Sequence, residues 1–446
     1  MACDWHSAPL GELISYIGKG VAPKYINDGP DATMVLGQKC VRNQALQYEQ
    51  ARFHNSAEKA VNPDKEVRKG DILVNATGVG SAGRVAQVMA DPSRQCITDG
   101  HVITLRAKDI NPFYLGYFVK SKQNTIELMA EGSTGQTEMN RQRLQNEIIV
   151  TFPESKDLQK RIAEYGLAID KKIAVNNQLN DYLLELATVR FEQELVKESK
   201  TYRFSELIEL EDSKRVPLNS RDRKVRKGSY PYYGATSIMD YVDDYLFDGI
   251  RVLLGEDGTV IREDGKPVLQ YVWGKYWVNN HAHILKSKAD YSLEAIYIAL
   301  ARTTINHIVT GAVQMKISQK NLNDLELEMP TASSLDYLED IFALYRSKAE
   351  ESKKLGILRD ALLPKLMSGE IDVSKVDLTQ LTNNHLWVHG HNVPNRYWKG
   401  HLWKPSLIMF CRRCRTCLIR HSSNIWPKYS ESRYCQLRKH PCRRIC

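Results

Sequence analysis

The stretch LQKRIAEYGLAIDKKIAVNNQLNDYLLELATV, Leu158 to Val189, governs how the rest of the chain is read. Leu158, Ile162, Tyr165, Ile169, Leu179, Leu183 and Leu186 recur in steps of three and four, which places apolar side chains on one face of a helix. Lys172 and Asn176 interrupt the stripe, as polar residues that set the register of a coiled coil do. A helix over about residues 155–199 would be roughly 65 Å long. One helix cannot bury so narrow a stripe by itself, so a second amphipathic helix is required.

The chain supplies one. Leu335, Leu338, Phe342, Tyr345 and Ala349 repeat the pattern, continued after a one-residue slip by Leu355, Leu358 and Leu362, and Pro364 is expected to end or kink it. A β-rich segment precedes each helix. In the first, Asp71 to Val74, Arg84 to Val88 and His101 to Leu105 read as strands, Pro112 to Lys120 as a helix, Gly132 to Gln136 as a loop and Glu147 to Phe152 as a closing strand. In the second, Arg251 to Leu254, Ala282 to Leu285, Leu293 to Ala301, Gly311 to Gln314 and Leu325 to Met329 follow in the same order. Leu115 pairs with Ile296, Gly132 with Gly311, Gln136 with Gln314 and Pro153 with Pro330, so the chain reads as a duplicated head and helix. Antiparallel packing of the helices would put the heads at opposite ends with an approximate twofold, which suits the antiparallel strands of a double helix.

The formal charge of +9 points toward nucleic acid only until it is located. Residues after 376 hold 13 Lys and Arg against 2 Asp and Glu, which leaves 49 against 51 in residues 1–376. The body is nearly neutral, so any DNA contact must come from local patches. Cysteine is lopsided in the same way. Cys3, Cys40 and Cys96 lie in the body and six more follow Met409, while four of the seven tryptophans, Trp387, Trp398, Trp403 and Trp426, also fall in the tail. The body reads as reduced, cytoplasmic and soluble, with no membrane span.

The densest basic run comprises Lys214, Arg215, Arg221, Arg223, Lys224, Arg226 and Lys227, interleaved with Pro217, Asn219, Ser220 and Gly228. It can sit on phosphates and offer forks to base edges, or be a solvated loop. Lys19, Lys24 and Arg42 are its thinner counterpart in the first head. The paired loops offer Ser133, Thr134 and Gln136 in one head and Gln314 with Lys316 in the other; Gln suits a bidentate contact to adenine. Asn279, Asn280 and His281 are read as hydrogen-bonding or recognition residues. His281 and His283 share a face and could ligate a metal, but no third ligand is evident. Gly78 to Gly83 lacks the Gly-Lys-Ser/Thr ending of a phosphate loop and reads as a turn. Asn111-Pro112-Phe113-Tyr114 lacks the second proline of the adenine-methyltransferase motif and reads as a helix start. Asp257, Asp264 and Lys266 can be arranged as a nuclease set, although Gly258 and Gly265 point to hairpin turns. No catalytic set emerges in the body. The tail reads as an irregular extension; Cys411, Cys414, Cys417 and His421 leave zinc open there.

Three phrases carry a resemblance: Gly228-Ser229-Tyr230-Pro231-Tyr232-Tyr233-Gly234-Ala235, Val278-Asn279-Asn280-His281-Ala282, and Leu358-Arg359-Asp360-Ala361-Leu362-Leu363-Pro364-Lys365-Leu366-Met367-Ser368-Gly369-Glu370-Ile371. With two heads and two helices, residues 1–376 resemble the specificity subunit of type I restriction-modification systems. The resemblance implies an α+β fold: two mixed β-rich target-recognition domains (1–154 and 201–331) alternating with two long antiparallel coiled-coil spacer helices (155–200 and 332–376), pseudo-twofold, before the tail at 377–446. It implies a bipartite double-stranded DNA target, two methyltransferase subunits docked on the helices, and restriction and translocase subunits. This chain would carry no catalytic residues and no cofactor; S-adenosylmethionine, ATP and Mg would belong to the partners. The rival readings are a methyltransferase or nuclease in its own right, and a coiled-coil adaptor without a DNA role.

Overall fold

The computed structural model describes residues 4–30, 32–131, 138–288, 290–311 and 314–373. The remaining residues, among them Ser133, Thr134, Gln136, Cys411, Cys414, Cys417 and His421, lie outside the described set.

Ser155 starts the first long helix, Lys156–Lys197, by accepting from the Leu158 amide, with Asp157 in the first turn and Lys197 in the last, as the helix dipole favours. The second long helix runs Tyr337–Met367. Contacts between them run in opposite order. Asp170 meets Arg359 at 2.6 Å, Lys172 meets Glu351 at 3.6 Å, and Arg190 stacks on Tyr337 at 3.7 Å, so the helices are antiparallel. Pro364 does not stop the second helix. It falls in the last turn, where the amide it lacks costs one bond and the helix continues only to Met367.

The buried face departs from the expected seam in its second half. Ile162, Tyr165 and Ile169 are buried, but the face then passes through Asn176, Asn180, Leu183, Ala187 and Phe191, while Leu186 is 46% exposed. A straight helix of 3.6 residues per turn drifts away from a 3.5-residue repeat, which carries Leu186 off the contact. The second helix likewise buries Leu338, Ile341 and Phe342 at one end and Leu363, Leu366 and Met367 at the other, leaving Leu358 41% exposed. The pair is therefore apolar at its ends, and its middle is polar, with the ion pairs Asp170–Arg359 and Lys172–Glu351 and the buried side chains of Asn176 and Asn180.

Each head is built on a four-stranded antiparallel sheet of one design. In the first the neighbours are Ile14–Lys19, Val102–Ala107, Ile72–Asn75 and Val85–Gln87; in the second, Ile208–Leu210, Ala282–Ser287, Arg251–Gly255 and Leu269–Val272. A second, mixed four-stranded sheet accompanies each, with one parallel pair: Cys96–Thr98 beside Ala32–Leu36, and Lys275–Val278 beside Lys227–Tyr233. The first strand of each head pairs with its last, Trp5–Pro9 with Ile149–Pro153 and Ser199–Arg203 with Glu326–Pro330. A helix, Pro112–Ser121 or Leu293–Arg302, packs beneath. Asn111 caps the former by accepting from Phe113 and Tyr114, the role its Asn-Pro pair suggests.

Neither head completes its own core. The first core takes Ile162, Ala163 and Tyr165 from the first long helix and Leu363, Leu366, Met367 and Val373 from the end of the second. The second core takes Leu183, Ala187 and Phe191 from the first helix and Leu338, Ile341 and Phe342 from the second. At the first core the Tyr165 hydroxyl donates to the Val373 carbonyl at 3.2 Å, and Trp5 packs on Gly369. Gly166 lets the Pro112–Ser121 helix approach, because a Cβ there would come within 2.5 Å of the Tyr117 ring. Beside it Asp170 accepts from the Tyr117 hydroxyl at 2.6 Å and pairs with Arg359 and with buried Lys120, the last at 3.5 Å. Burial pushes the Asp170 carboxyl up, but Lys120, Arg359 and the Tyr117 bond outweigh it and hold it below the usual range. No described helix is long and apolar enough to cross a membrane.

Candidate nucleic-acid interface

The antiparallel sheet of each head ends in the same corner. In the first head the Ala76 amide donates to the His101 carbonyl and the Met139 amide to the Ala76 carbonyl, both at 2.7 Å, while Thr77 bridges to Glu138. In the second, the Glu256 amide donates to His281 at 2.8 Å, the Ile317 amide to Glu256 at 2.9 Å, and Asp257 bridges to Lys316. The residue before each turn fixes it in the same manner: Asp99 Oδ1 accepts from the His101 amide at 2.9 Å, and Asn279 Oδ1 from the His281 amide at 2.8 Å. Gly78 and Gly258 follow with positive φ, +109° and +82°, where a side chain would be strained. The strands thus deliver His101 and His281 to equivalent places, beside the Thr77–Glu138 and Asp257–Lys316 bridges.

Around this shared backbone the side chains differ in kind. The first corner is mostly neutral: Thr77 Oγ1 lies 2.9 Å from His101 Nδ1 and accepts from Gln38 at 2.6 Å, with the Lys19–Glu138 pair alongside. The second is built on carboxylates. His281 pairs with Asp257; Glu256 binds Arg215 at 2.6 Å and Lys316 at 3.5 Å; buried His283 binds Asp212 at 2.6 Å, which also accepts from Gln319 at 2.6 Å and the Ile284 amide at 2.9 Å. Burial raises the Asp212 carboxyl, but the bonds from His283, Ile284 and Gln319 prevail and leave it below the ordinary range. Asp212, Glu256 and His283 are close enough to hold a cation, so His283 gathers two carboxylates that the sequence did not reveal, and His281 is not part of the group. Arg215 and Gln319 already engage these oxygens, so the group is organised as a charge-balanced network.

Two expected DNA contacts sit behind the surface. Asn279 is 3% exposed; its Oδ1 accepts from the His281 amide and its Nδ2 donates to Met239 Sδ. Arg215, 13% exposed, is held by Glu256 and the Ala282 carbonyl. The rest of the basic run is largely paired: Lys214 with Glu211 at 2.6 Å, Arg223 with Asp240 at 3.4 Å, Arg226 with Asp243 at 2.9 Å, Lys227 with Asp240 at 2.5 Å. Asn219 caps the short helix Ser220–Val225 by accepting from the Arg221 and Asp222 amides. Arg221 and Lys224 are exposed and carry no ion pair among the described residues. Asn280, Gln314 and Lys316 are exposed near the second corner, and Arg42 and Lys24 are exposed on the first head, where Lys24 lies 3.5 Å from Glu58. Sequence reading passed over Thr77, Asp99 and His101. Their signal was the parallel between Asp99-Gly100-His101 and Asn279-Asn280-His281 ahead of equivalent strands. Exposed Ile238, Met239 and Tyr241, on the strand Ile238–Val242, were also passed over.

The comparisons with known proteins follow the same division. The type I restriction modification DNA specificity domain matches twice, over residues 4–185 and 196–349. A putative type I restriction enzyme specificity subunit of Haemophilus influenzae is 30% identical over 128 residues, 29% of this chain and 32% of that protein. The EcoprrI specificity subunit of Escherichia coli is 22% identical over 165 residues, 37% of this chain and 39% of that protein. The matched segments thus span 32% and 39% of these curated relatives. Among solved structures, the S subunit of a type I restriction-modification system from M. genitalium aligns with a TM-score of 0.44 and 17% identity, over 82% of this chain and 96% of that one. Each match to the domain takes in one head and at least the start of the helix that follows it, the same unit whose corner recurs at His101 and His281, and on that ground the chain belongs to the type I restriction modification DNA specificity family.

Proposed function

We propose that this chain is the specificity subunit of a type I restriction-modification complex, in which each head reads one half of a bipartite double-stranded DNA site. The observation that carries this reading is the twice-matched specificity domain, with an equivalent histidine corner in each copy. On this reading residues 1–154 and 201–331 are the target-recognition domains and residues 155–200 and 332–376 the spacers. The helices form an antiparallel coiled coil with approximate twofold symmetry that sets the gap between half-sites. The same symmetry offers equivalent docking places to two methyltransferase subunits, which would bring S-adenosylmethionine; restriction and translocase subunits would bring ATP and Mg. The chain supplies address and assembly without catalytic residues of its own, and works in the cytoplasm.

The polar middle of the helix pair supports a spacer role. Charged pairs such as Asp170–Arg359 fix register where an all-apolar seam would tolerate sliding. The test is a genome-wide map of methylated adenine in cells with and without this chain, alongside its modification subunits. A two-part motif that disappears with the chain is expected. Exchange of residues 201–330 for those of a relative should change one half of the motif; if both halves stayed the same, the two-reader account would fall. Methyl transfer or cleavage by the purified chain alone would favour a self-sufficient enzyme instead.

A further inference from the structure

The two corners share a backbone but fix the imidazole by different partners. In the second head His281 Nδ1 meets the Asp257 carboxylate, which can only accept, so Nδ1 carries the proton and Nε2 of the neutral ring is an acceptor. In the first head His101 Nδ1 lies 2.9 Å from the Thr77 hydroxyl, which already accepts from Gln38 Nε2 at 2.6 Å. With Gln38 on one lone pair, the hydroxyl proton is free to point at His101 Nδ1, and in that arrangement the ring proton sits on Nε2, a donor. His101 is exposed and the His281 side chain is 44% exposed. Neither Nε2 has a partner among the described residues.

We propose that the heads present opposite histidine tautomers to DNA, the first offering a hydrogen-bond donor and the second an acceptor at equivalent positions. His101 then selects a base edge that accepts, such as guanine N7 or O6 or thymine O4, and His281 one that donates, the exocyclic amine of adenine or cytosine. One fold thereby reads two unlike half-sites by exchanging the residue behind the ring, Thr77 for Asp257, while the ring stays. The inference rests on the reading of both heads as DNA readers.

Two measurements test it. Long-range proton–nitrogen correlation spectra of the full chain with 15N-histidine, assigned through H101Q and H281Q, should show the Nε2–H form for His101 and the Nδ1–H form for His281; the same form at both overturns the proposal. In the complex with its modification subunits, T77D should turn the first ring around and change preference at one base of one half-site by about 5- to 10-fold, the scale of one hydrogen bond. D257T should do the same in the other half-site alone. Unchanged base preference in both variants overturns the proposal. So does uniform loss of methylation in T77D, D257T, H101Q and H281Q alike, which would assign the corner to the support of the fold. A wild-type methylation map without any two-part motif would defeat the underlying function while leaving the tautomer measurement to stand or fall by itself.

Discussion

In the second head the strand leaving the histidine corner places His283 in the interior, against Asp212 and within reach of Glu256 and Arg215. In the first head the corresponding strand places Ile103 there, and Ala76 stands where Glu256 does, both fully buried in an apolar core. The backbone hydrogen bonds that define the corner are the same. An ionic network and a dry apolar contact are thus alternative fillings of one frame. The frame depends on strand pairing and on the helices beneath, which leaves the side chains at the loop end free to differ between copies.

That equivalence can be broken at its costliest point. Asp212→Ala strands His283 in the interior and should destabilise the second head by about 3–5 kcal/mol, read as a fall in its thermal transition and a rise in hydrogen exchange over residues 251–287. Replacing Asp212, Arg215, Glu256 and His283 together with apolar residues of similar size should cost far less than Asp212→Ala alone, because no unpaired charge remains. A larger loss in the fourfold variant would show that the two fillings are not interchangeable. Next in size is the tie between helices and first head. Asp170→Asn leaves Lys120 and Arg359 facing each other and should cost about 2–3 kcal/mol, with faster exchange over residues 112–121 and 356–373 but not in the second head.

Acid should act on both heads, though at different places. The Asp212, Glu211 and Asp170 carboxyls are all held below their ordinary values in the fold. Each therefore contributes stability that is present above the unfolded pKa of about 4 and lost as pH falls through the folded one. Melting of the wild type should drop as pH is lowered below about 4, and Asp212→Asn should melt lower at neutral pH with a flatter acid limb. A parallel acid limb would remove Asp212 from the account. The smallest effect concerns DNA alone. Arg221→Ala with Lys224→Ala should leave melting within about 0.5 kcal/mol of wild type and lower the salt dependence of binding by about two phosphate contacts. Arg215→Ala should do the reverse, since its guanidinium is committed to Glu256.

Periodicity and turn residues made the repeat legible: both long helices, the Asn111 cap, and strands such as Ile72–Asn75 and Arg251–Gly255 stand where their patterns put them. What escaped was whatever depends on partners distant in sequence. Arg215 looked like a phosphate contact because Glu256, 41 residues on, cannot be seen beside it in the chain. Leu186 looked like a seam residue because a strict heptad hides the helical drift. His101 was missed because Asp99 and Asn279 do the same work with different side chains, which conceals the parallel at the level of residue identity.

The completion of the first core by Leu363, Leu366 and Met367 also sets a schedule for synthesis. A ribosome finishes the first head near residue 154 but does not deliver the helix end that covers it until about residue 370. At ordinary elongation rates the first head waits on the order of ten to forty seconds. During that interval the apolar face around Tyr114, Leu115 and Tyr165 has no lid, and the nascent chain is open to chaperones or to another copy's helix. The second head, which receives Leu183, Ala187 and Phe191 before its own strands emerge, has no such wait for the first helix. The half of the protein made first is therefore the half that finishes folding last.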